Sequence, residues 1–324
     1  NYGGKISSAY SADQVTDLVE ISSTGRAFAA LKRDGGVLTW GITGPTDTIK
    51  DRFDIVSIFS TGSAFAALTS EGSVVTWGDV YGGGDSSRVS GQLTDVQQIF
   101  SNTSAFAALK ADGSIVTWGY SVDGGDSSSV ADQLVNVVSF ATPFTDDRWI
   151  QASEATGGGG SALVNADGFT YDPSSLRSYA TSYQVTRNAI AQNLPDNTVH
   201  EVRNSQAFAA LKEDGSVVTW GYATYGGDKT YGVTSVADQL NGGVSQLYSN
   251  EFAFAALKAD GSVVTWGDYE KGGNSTSVAS DLTGVVRIFS NSNSFAALKS
   301  DGSVVTWGTA ASGGDSSTVA TALS

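Results

Sequence analysis

Few residues of this chain could carry out chemistry, and their placement argues against an active site. His200 is the only histidine, and it lies between Val199 and Glu201 in a predicted strand, so a Ser-His-Asp triad would have to be built around the scaffold. Asp146 and Asp147 are paired carboxylates of the kind that general acid–base catalysis uses. Adjacent strand residues point to opposite faces, however, and a solvated loop is the simpler interpretation. We therefore predict no catalytic residue.

Glycine-rich segments with Asp and Ser raise the question of phosphate or metal binding. Residues 157–160 are four glycines without the Lys and Ser or Thr of a phosphate loop. The recurrent Gly-Asp-Ser-Ser, as at residues 125–128, supplies one carboxylate per connector, whereas calcium takes about six to eight oxygen ligands. We expect these residues to cap short helical turns instead, because Ser-x-x-Asp at residues 129–132 and 235–238 approximates a capping box. No metal and no cofactor are predicted.

The overall charge excludes several classes of partner. The chain has 18 Lys and Arg against 33 Asp and Glu, a formal net charge of −15, and its field repels phosphate backbones and anionic lipid. No apolar run approaches the roughly 20 residues that span a bilayer. We therefore expect neither a nucleic-acid partner nor membrane insertion.

Both sulfur-containing residues are absent. Without Cys there are no disulfides and no thiolate ligands, and the lack of Met as well suits an oxidation-resistant protein that is extracellular or on the cell surface. The alternative is that amplification of a sulfur-free module kept sulfur out of every copy, in any compartment. Because residue 1 is Asn, we expect the chain to have been processed or excised from a longer polypeptide.

One segment is repeated along the whole chain. AFAALKADGSVVTWG at residues 253–267 returns almost letter for letter at five other places, and a degenerate copy begins at Ser161. Self-similarity at a period of about 40 residues indicates a repeat architecture. The acidic residue of each copy marks seven repeats, at Asp34, Glu71, Asp112, Asp167, Asp214, Asp260 and Asp301.

Each repeat predicts a β-hairpin with a further strand before it. Residues 105–109 are apolar, residues 110–113 carry turn residues, and residues 114–118 are β-branched and aromatic. Residues 96–100 alternate enough to form another strand. Three or four strands in about 40 residues make a propeller blade. The sequence therefore predicts an all-β fold, with residues 1–324 as a single seven-bladed β-propeller domain whose fourth blade is atypical.

The repeated residues are assigned to packing. We expect the Ala-rich strands to line a central channel, where small side chains let neighbouring sheets approach. The tryptophan that ends each hairpin should fill the wider space between blades, because a residue needed by every repeat belongs to the core. These core residues are Trp40, Trp77, Trp118, Trp220, Trp266 and Trp307.

The repeat resembles a known propeller family. Its pattern A-L-x-x-D-G-x-V-x-x-W-G, after a V-x-x-I strand, is similar to the blade signature of the regulator of chromosome condensation propellers in six of the seven repeats. The continuation GGDSSSVADQL at residues 124–134 departs from the G-Q-L-G ending of the nuclear members, and the His that often precedes their A-L strand is replaced by Ala or Ser. The continuation looks more like the bacterial secreted branch, typified by the propeller-type β-lactamase inhibitor protein. The resemblance implies a seven-bladed ring, and the departures from the nuclear members argue against exchange-factor activity.

Two connector sequences compete for one joint of such a ring. Residues 2–15 match the tail of the connector at residues 226–240, and residues 313–324 form another connector. Either the two overlap where the ring is sealed, or the chain is one link of a longer array of propellers.

The variable segments after each Trp-Gly pair are the best candidates for function. They are irregular and rich in tyrosine, which offers a large, rigid contact area with a polar tip, and equivalent positions of a propeller lie on one face. The alternative is loop drift, with the tyrosines packed on neighbouring blades. The predicted protein-binding residues are Tyr81, Tyr120, Tyr222, Tyr225 and Tyr269, with Trp149 from the fourth blade.

Three function classes stay open. The leading one is a non-enzymatic extracellular binding or structural module, part of a surface adhesin, filament or other assembly, which recognises a protein or a neighbouring subunit. The second is a secreted proteinaceous enzyme inhibitor, as the resemblance suggests, and the third is a hydrolase or lyase on a propeller scaffold. The fourth repeat, residues 138–197, holds three of the four prolines and has either specialised or drifted.

Overall fold

The computed structural model describes residues 16–42, 49, 51–141, 150–151, 163–164, 170–171, 204–230 and 235–317. The chain divides into two compact units. Unit 1 comprises Asn1–Pro143 and Val202–Ser324, and unit 2 comprises Phe144–Glu201. No helix among the described residues is long and apolar enough to span a bilayer.

Unit 1 is mostly β and contains six three-stranded antiparallel sheets, which we number along the chain. Sheet 1 has β1 (Leu18–Ser23), β2 (Ala27–Lys32) and β3 (Val37–Gly41); sheet 2 has β4 (Ile55–Ser60), β5 (Ala64–Thr69) and β6 (Val74–Gly78); sheet 3 has β7 (Val96–Ser101), β8 (Ala105–Lys110) and β9 (Ile115–Gly119). Sheet 4 has β10 (Val137–Phe140), β14 (Ala207–Lys212) and β15 (Val217–Gly221); sheet 5 has β16 (Val244–Ser249), β17 (Ala253–Lys258) and β18 (Val263–Gly267); sheet 6 has β19 (Val285–Asn291), β20 (Ser294–Lys299) and β21 (Val304–Gly308).

Short helical turns connect these sheets. They are Val80–Gly84, Ser90–Gln92, Ser121–Asp123, Ser128–Gln133, Ala223–Tyr225, Asp238–Leu240, Tyr269–Lys271, Thr276–Val278 and Ala310–Ser312.

The predicted hairpins are confirmed in all six sheets. In β8–β9, the N–H of Lys110 donates to the carbonyl of Ser114 at 3.0 Å, and the N–H of Gly113 donates to the carbonyl of Lys110 at 2.9 Å. Gly113 has a φ of 76°, which is the left-handed residue of a three-residue hairpin loop. Asp112 completes the turn by accepting the N–H of Ser114 at 2.9 Å.

Sheet 4 departs from the predicted order of strands. Strand β10 pairs with β14, so that Val137 lies opposite Lys212 and Phe140 opposite Ala210, and unit 2 is inserted between these two strands. In unit 2 the two-residue strands β11 (Ile150–Gln151), β12 (Leu163–Val164) and β13 (Thr170–Tyr171) form a separate small sheet. The hairpin expected at Asp167 therefore exists as β12–β13, but its strands are not in a sheet with β10. The described residues give six stacked sheets of three strands, and a count of seven blades is not confirmed.

The core lies between consecutive sheets. At the junction of sheets 2 and 3, Ala64 and Ala66 of sheet 2 pack against Ile99, Phe106 and Trp118 of sheet 3. The same strand positions meet in the clusters that join sheets 1 and 2, 3 and 4, 4 and 5, and 5 and 6. One junction is thus repeated five times, and the expectation that the tryptophans fill the space between sheets is confirmed at Trp77, Trp118, Trp220, Trp266 and Trp307, which are 1–4% exposed.

The prediction that the alanines line a channel was wrong. The Ala-rich strand is the central strand of its sheet, and Ala107 and Ala108 are both 0% exposed. Ala107 belongs to the junction with sheet 4 and Ala108 to the junction with sheet 2. Small side chains are needed on the face of this strand towards sheet 4, because Phe208 and Trp220 pack against Ala105 and Ala107 there. On the other face Ala108 leaves room for the rings of Phe106 and Trp118 of the same sheet.

Candidate functional site

The site that the sequence points to is the connector turn after the third strand, which the structure describes in sheets 2 to 6. In sheet 3, Gly119 ends β9 with a φ of 110°, and Gly124 ends the following helical turn with a φ of 97°. A Cβ at Gly124 would come within 2.7 Å of the Phe208 ring, because the turn packs on the next sheet. The two glycines hold the four residues between them at the edge of unit 1.

The predicted tyrosines occupy different positions of this one turn. Tyr81 is 76% exposed, Tyr269 63%, Tyr120 46% and Tyr222 41%. Tyr225 is half-buried and packs against the core between sheets 4 and 5. Of the five, the structure shows contact only within the pair Tyr222 and Tyr225. Trp149 lies outside the described residues.

Tyr222, Tyr225 and Phe252 form a small aromatic cluster. The rings of Tyr222 and Tyr225 meet edge to face at a centroid distance of 5.4 Å, and Tyr225 meets Phe252 in the same way at 5.1 Å. Edge-to-face pairs of this kind are a favoured aromatic geometry. The alternative reading, in which a tyrosine packs on the neighbouring blade, therefore applies to Tyr225 and not to Tyr81 or Tyr269.

Each turn is fixed to its own sheet by a bridging side chain. Asn102 accepts the N–H of Ala105 at 2.8 Å through Oδ1 and donates to the carbonyl of Asp123 at 2.5 Å through Nδ2. Thr61 takes the same place in sheet 2, accepting from Ala64 and donating to the carbonyl of Gly82. The corresponding residues of sheets 4, 5 and 6 are Asn204, Asn250 and Asn291.

The turns after sheets 2 to 5 are also fixed to the next sheet by an indole. Trp118 Nε1 donates to the carbonyl of Gly83 at 3.0 Å, across the junction of sheets 2 and 3. The same bond recurs from Trp220, Trp266 and Trp307 to the left-handed glycine of the preceding connector, whereas the indole N–H of Trp77 has no hydrogen-bond partner among the described residues. Since these four turns are each tied to the sheet that follows, they succeed one another along one edge of unit 1, which we call the tyrosine edge.

The Asp-Gly turns join the second and third strands, at the opposite end of the hairpins. Asp112 accepts the hydroxyl of Ser114 at 2.6 Å, and this bond, with the N–H of the same serine, holds the pKa of Asp112 below its usual value. Asp214, Asp260 and Asp301 repeat the arrangement. These turns are small, charged and nearly identical, so they offer a partner little to distinguish.

The connector aspartates serve local turns. Asp126 accepts the N–H of Ser128 at 2.9 Å, and Asp85 accepts that of Ser87 at the same distance, which is the two-residue pattern of an Asx turn. In the described part of the chain, no three His, Asp or Glu side chains come together as a metal site. The expectation that connector Asp and Ser residues cap short turns is confirmed at Asp126 and at Ser235, which accepts the N–H of Ala237 at 3.4 Å. The capping-box pattern itself was wrong, because the N-cap residues of the helical turns Ser128–Gln133 and Asp238–Leu240 make no side-chain cap bond.

One half-buried carboxyl group was not singled out from the sequence. Glu20 on β1 accepts the N–H of Ile58 at 3.0 Å and the hydroxyl of Ser57 at 3.3 Å on the neighbouring sheet. Burial raises the pKa of Glu20 to about 7, although the two hydrogen bonds oppose the shift. Because these bonds bridge sheets 1 and 2, its geometry is that of a junction residue. The carboxylates Asp146 and Asp147, and His200, lie outside the described residues.

The bridging asparagines were also missed. Their signal was present in the sequence, because Asn stands three residues before the Ala-rich strand at Asn102, Asn204 and Asn250. A short polar residue before a strand is common in any turn, so the sequence alone does not reveal the bridge. The bridge is seen only in the structure, where Nδ2 donates to a carbonyl 21 residues further along the chain.

Comparison with known proteins gives distant structural likeness. No protein-family model matches the chain, and no curated protein matches it in sequence. The ectodomain of the receptor kinase CR4 from Physcomitrella patens is 14% identical with a TM-score of 0.39, covering 90% of this chain and 61% of that one. Prp20p from Saccharomyces cerevisiae, described with its binding to Gsp1p and histones, is 17% identical with a TM-score of 0.35, covering 79% and 59%. The CRINKLY WD40 ectodomain of the Arabidopsis thaliana receptor kinase ACR4 is 11% identical with a TM-score of 0.38, covering 90% and 80%.

This chain spans about three fifths of the length of the first two structures. At these identities and TM-scores the description of the fold rests on the chain's own sheets.

Proposed function

We propose that the chain is a non-enzymatic protein-recognition module, extracellular or on the cell surface, that works as part of a larger assembly. Its stacked sheets act as the blades of a β-propeller, and its tyrosine edge is the recognition surface. The observation that carries the proposal is the exposure of Tyr81 and Tyr269, at 76% and 63%, on a turn that the rest of the sheet holds rigidly.

Physical chemistry favours this use of the edge. Exposed aromatic rings cost solubility and tend to cluster where a partner covers them. Tyrosine loses little conformational entropy on binding and carries a hydroxyl that can pair with polar groups of the partner. The turns themselves are held by Asn102 and its counterparts, so a partner meets a surface that is already ordered.

The seven-bladed ring stays a prediction. It differs from an open array of six sheets in the exposure of the outer faces of sheets 1 and 6. A ring closed within one chain buries these faces against neighbouring blades, whereas an open array leaves them exposed.

The proposed role is tested by comparing two paired substitutions in a native complex. The protein is immobilised and exposed to the extracellular fraction of its source, and retained proteins are identified with wild type, with Tyr81→Ser/Tyr269→Ser and with Asp214→Asn/Asp260→Asn. We expect a partner that wild type retains to be lost with the tyrosine variant and kept with the aspartate variant. Loss with the aspartate variant alone would show that recognition uses the other end of the hairpins. If wild type retains nothing above the background of an unrelated acidic protein, the recognition role is wrong.

A further inference from the structure

Every internal junction of unit 1 joins two different faces. The forward face of sheets 1 to 5 carries two alanines of the central strand, as Ala64 and Ala66 do in sheet 2, and the rear face of the next sheet carries a Phe, a Trp and an Ile, Leu or Phe of the first strand. In sheet 6 the equivalent pair is Ser294 and Ala296. At the junction of sheets 3 and 4, for example, Phe100 stacks on Phe140 with ring centroids 4.1 Å apart. Within the part of the chain that the structure describes, the six sheets leave one rear face without a neighbour, on sheet 1, and one forward face, on sheet 6.

The rear face of sheet 1 is apolar and uncovered. Ile21 is 58% exposed, whereas Ile58 at the same position of sheet 2 is 3% exposed. Phe28 and Trp40 stack on each other at 5.3 Å like the pairs in the internal sheets, but both are only half-buried. The same residues that are covered at each internal junction are thus left open here.

The forward face of sheet 6 is open in the complementary way. Phe289 is 37% exposed and lines a groove with Ala296 and Gly313. Ala296 is partly exposed, whereas Ala107 at the same position of sheet 3 is fully buried.

Gly313 shows most directly what is missing from this face. It has a φ of 90° and ends its helical turn like the other left-handed connector glycines. A Cβ on Gly83 would meet the Phe106 ring of the next sheet at 2.6 Å, whereas a Cβ on Gly313 would meet nothing within 4 Å. The space that an aromatic ring of a following sheet fills at Gly83 is therefore open at Gly313.

We propose that these two end faces bind each other between copies of this chain, so that sheet 1 of one copy stacks on sheet 6 of the next. The occupant follows from the five internal junctions, because each end face is one half of the interface that the chain already forms within itself. Ile21 would then lie against Phe289, as Phe140 lies against Phe100. Trp40 would donate its indole N–H to the carbonyl of Gly313, as Trp118 does to that of Gly83.

Such a contact joins unlike surfaces and is therefore heterologous, which gives a closed ring of copies or an open filament. This contact rests on the proposed role in a larger assembly and specifies one interface of that assembly. It uses the end faces and not the tyrosine edge. The two surfaces can therefore be tested separately.

Cysteine cross-linking tests whether the end faces bind between copies or within one chain. Only the introduced cysteines can react, because the chain has no cysteine of its own. Ile21→Cys and Phe289→Cys are made as separate variants, mixed, and treated with a short bismaleimide. We expect a cross-linked dimer from the mixture and a ladder of multimers from the double variant. If the double variant cross-links only within single chains, the ring closes inside one molecule and the proposal is wrong. It is equally wrong if neither sample cross-links.

Light scattering on charge variants provides the second test. We expect Ile21→Glu to reduce the mass in solution to that of a monomer, while its thermal transition shows that it still folds. Val138→Glu is the matched control, since Val138 is 51% exposed on an internal sheet, and it should assemble like wild type. Tyr81→Ser/Tyr269→Ser should also assemble, even if it no longer binds a partner. Monomeric wild type at every concentration, or loss of assembly in the tyrosine variant, would contradict the proposal.

Discussion

At the scale of single residues, Trp118 and Tyr120 stand two positions apart and have opposite roles. Trp118 is 4% exposed, stacks on Phe106 at 5.2 Å and donates its indole N–H to Gly83. Tyr120 is 46% exposed at the start of the connector turn. A repeat thus places a residue of the junction and a residue of the surface almost side by side.

We predict that Trp118→Ala lowers the free energy of unfolding by about 3–5 kcal/mol, as truncation of a buried aromatic does. Tyr120→Ala should lower it by less than about 1 kcal/mol, as for other surface substitutions. Denaturant midpoints of the two variants measure the difference. Equal losses would mean that Tyr120 is structural and that the tyrosine edge is misassigned.

Glu20 predicts an unusual dependence of stability on pH. Burial between sheets 1 and 2 raises the pKa of Glu20 from 4.5 to about 7 in the folded state, so folding favours its protonated form. That stabilisation is complete below the unfolded pKa and is lost as the pH rises towards the folded one. Carboxyl groups whose pKa is lowered in the folded state, such as Asp54 beside Arg52, change stability in the opposite direction. The stability that they contribute is lost as the pH falls below their ordinary pKa.

We therefore expect the free energy of unfolding of wild type to fall between about pH 5 and pH 8. Glu20→Gln, which can still accept the N–H of Ile58, should flatten this fall. Denaturant unfolding across the range measures both slopes, with Glu71→Gln as a control that removes an exposed carboxylate of sheet 2. If Glu20→Gln keeps the wild-type slope, Glu20 does not cause it.

At the scale of elements, the connector turn depends on its bridging side chain. Asn102 satisfies the N–H of Ala105 and the carbonyl of Asp123 together, and Asn102 is itself 5% exposed. Removing one partner from buried hydrogen bonds leaves the others unsatisfied, at a cost of about 1–3 kcal/mol.

We predict that Asn102→Ala lowers stability by about this amount and that Asn102→Thr loses less, because Thr61 makes the same two bonds in sheet 2. Thermal midpoints of both variants give the comparison. If Asn102→Thr is as damaging as Asn102→Ala, the bridge does not hold the turn.

The elements that the sequence predicted well are those with short-range signals. The hairpins followed from apolar runs on either side of an Asp-Gly turn, and the register of β8–β9 agrees with that pattern. The tyrosines were located by their position after Trp-Gly, but the sequence could not say which of them would pack on the neighbouring blade, since the half-burial of Tyr225 depends on Phe252 of the next sheet. The role of the alanines was misjudged because a small residue suits both a narrow channel and a sheet with rings on both faces.

The assignment of β10 was missed for a different reason. The sequence grouped residues 138–197 into one repeat around the degenerate hairpin at Asp167 and assigned no partner to β10. In the structure β10 pairs with the much later strand β14, with Phe140 opposite Ala210, and Phe140 meets the Trp220 ring of β15 edge to face at 5.7 Å. Pairing across so long an insertion depends on tertiary packing, which the local sequence does not encode.

At the scale of the whole molecule, unit 1 contains five copies of one type of junction between sheets. Unit 2 is inserted in the chain between β10 and β14. The insertion point is visible in retrospect. If residues 143–203 are removed, Thr142 meets Asn204, and the chain reads SFATNSQAFAAL, which matches QIFSNTSAFAAL of sheet 3 position by position. The deletion also restores the spacing that separates Glu71 from Asp112.

The most direct test of this architecture is the unfolding of a variant that lacks residues 143–203. We predict that this variant folds, keeps the near-ultraviolet circular dichroism of the buried tryptophans and unfolds in one cooperative transition near that of wild type, because sheet 4 is complete without the insertion. A variant with no cooperative transition and no tryptophan signal would contradict this architecture, since it would show that residues 143–203 complete a blade on which the remaining sheets depend.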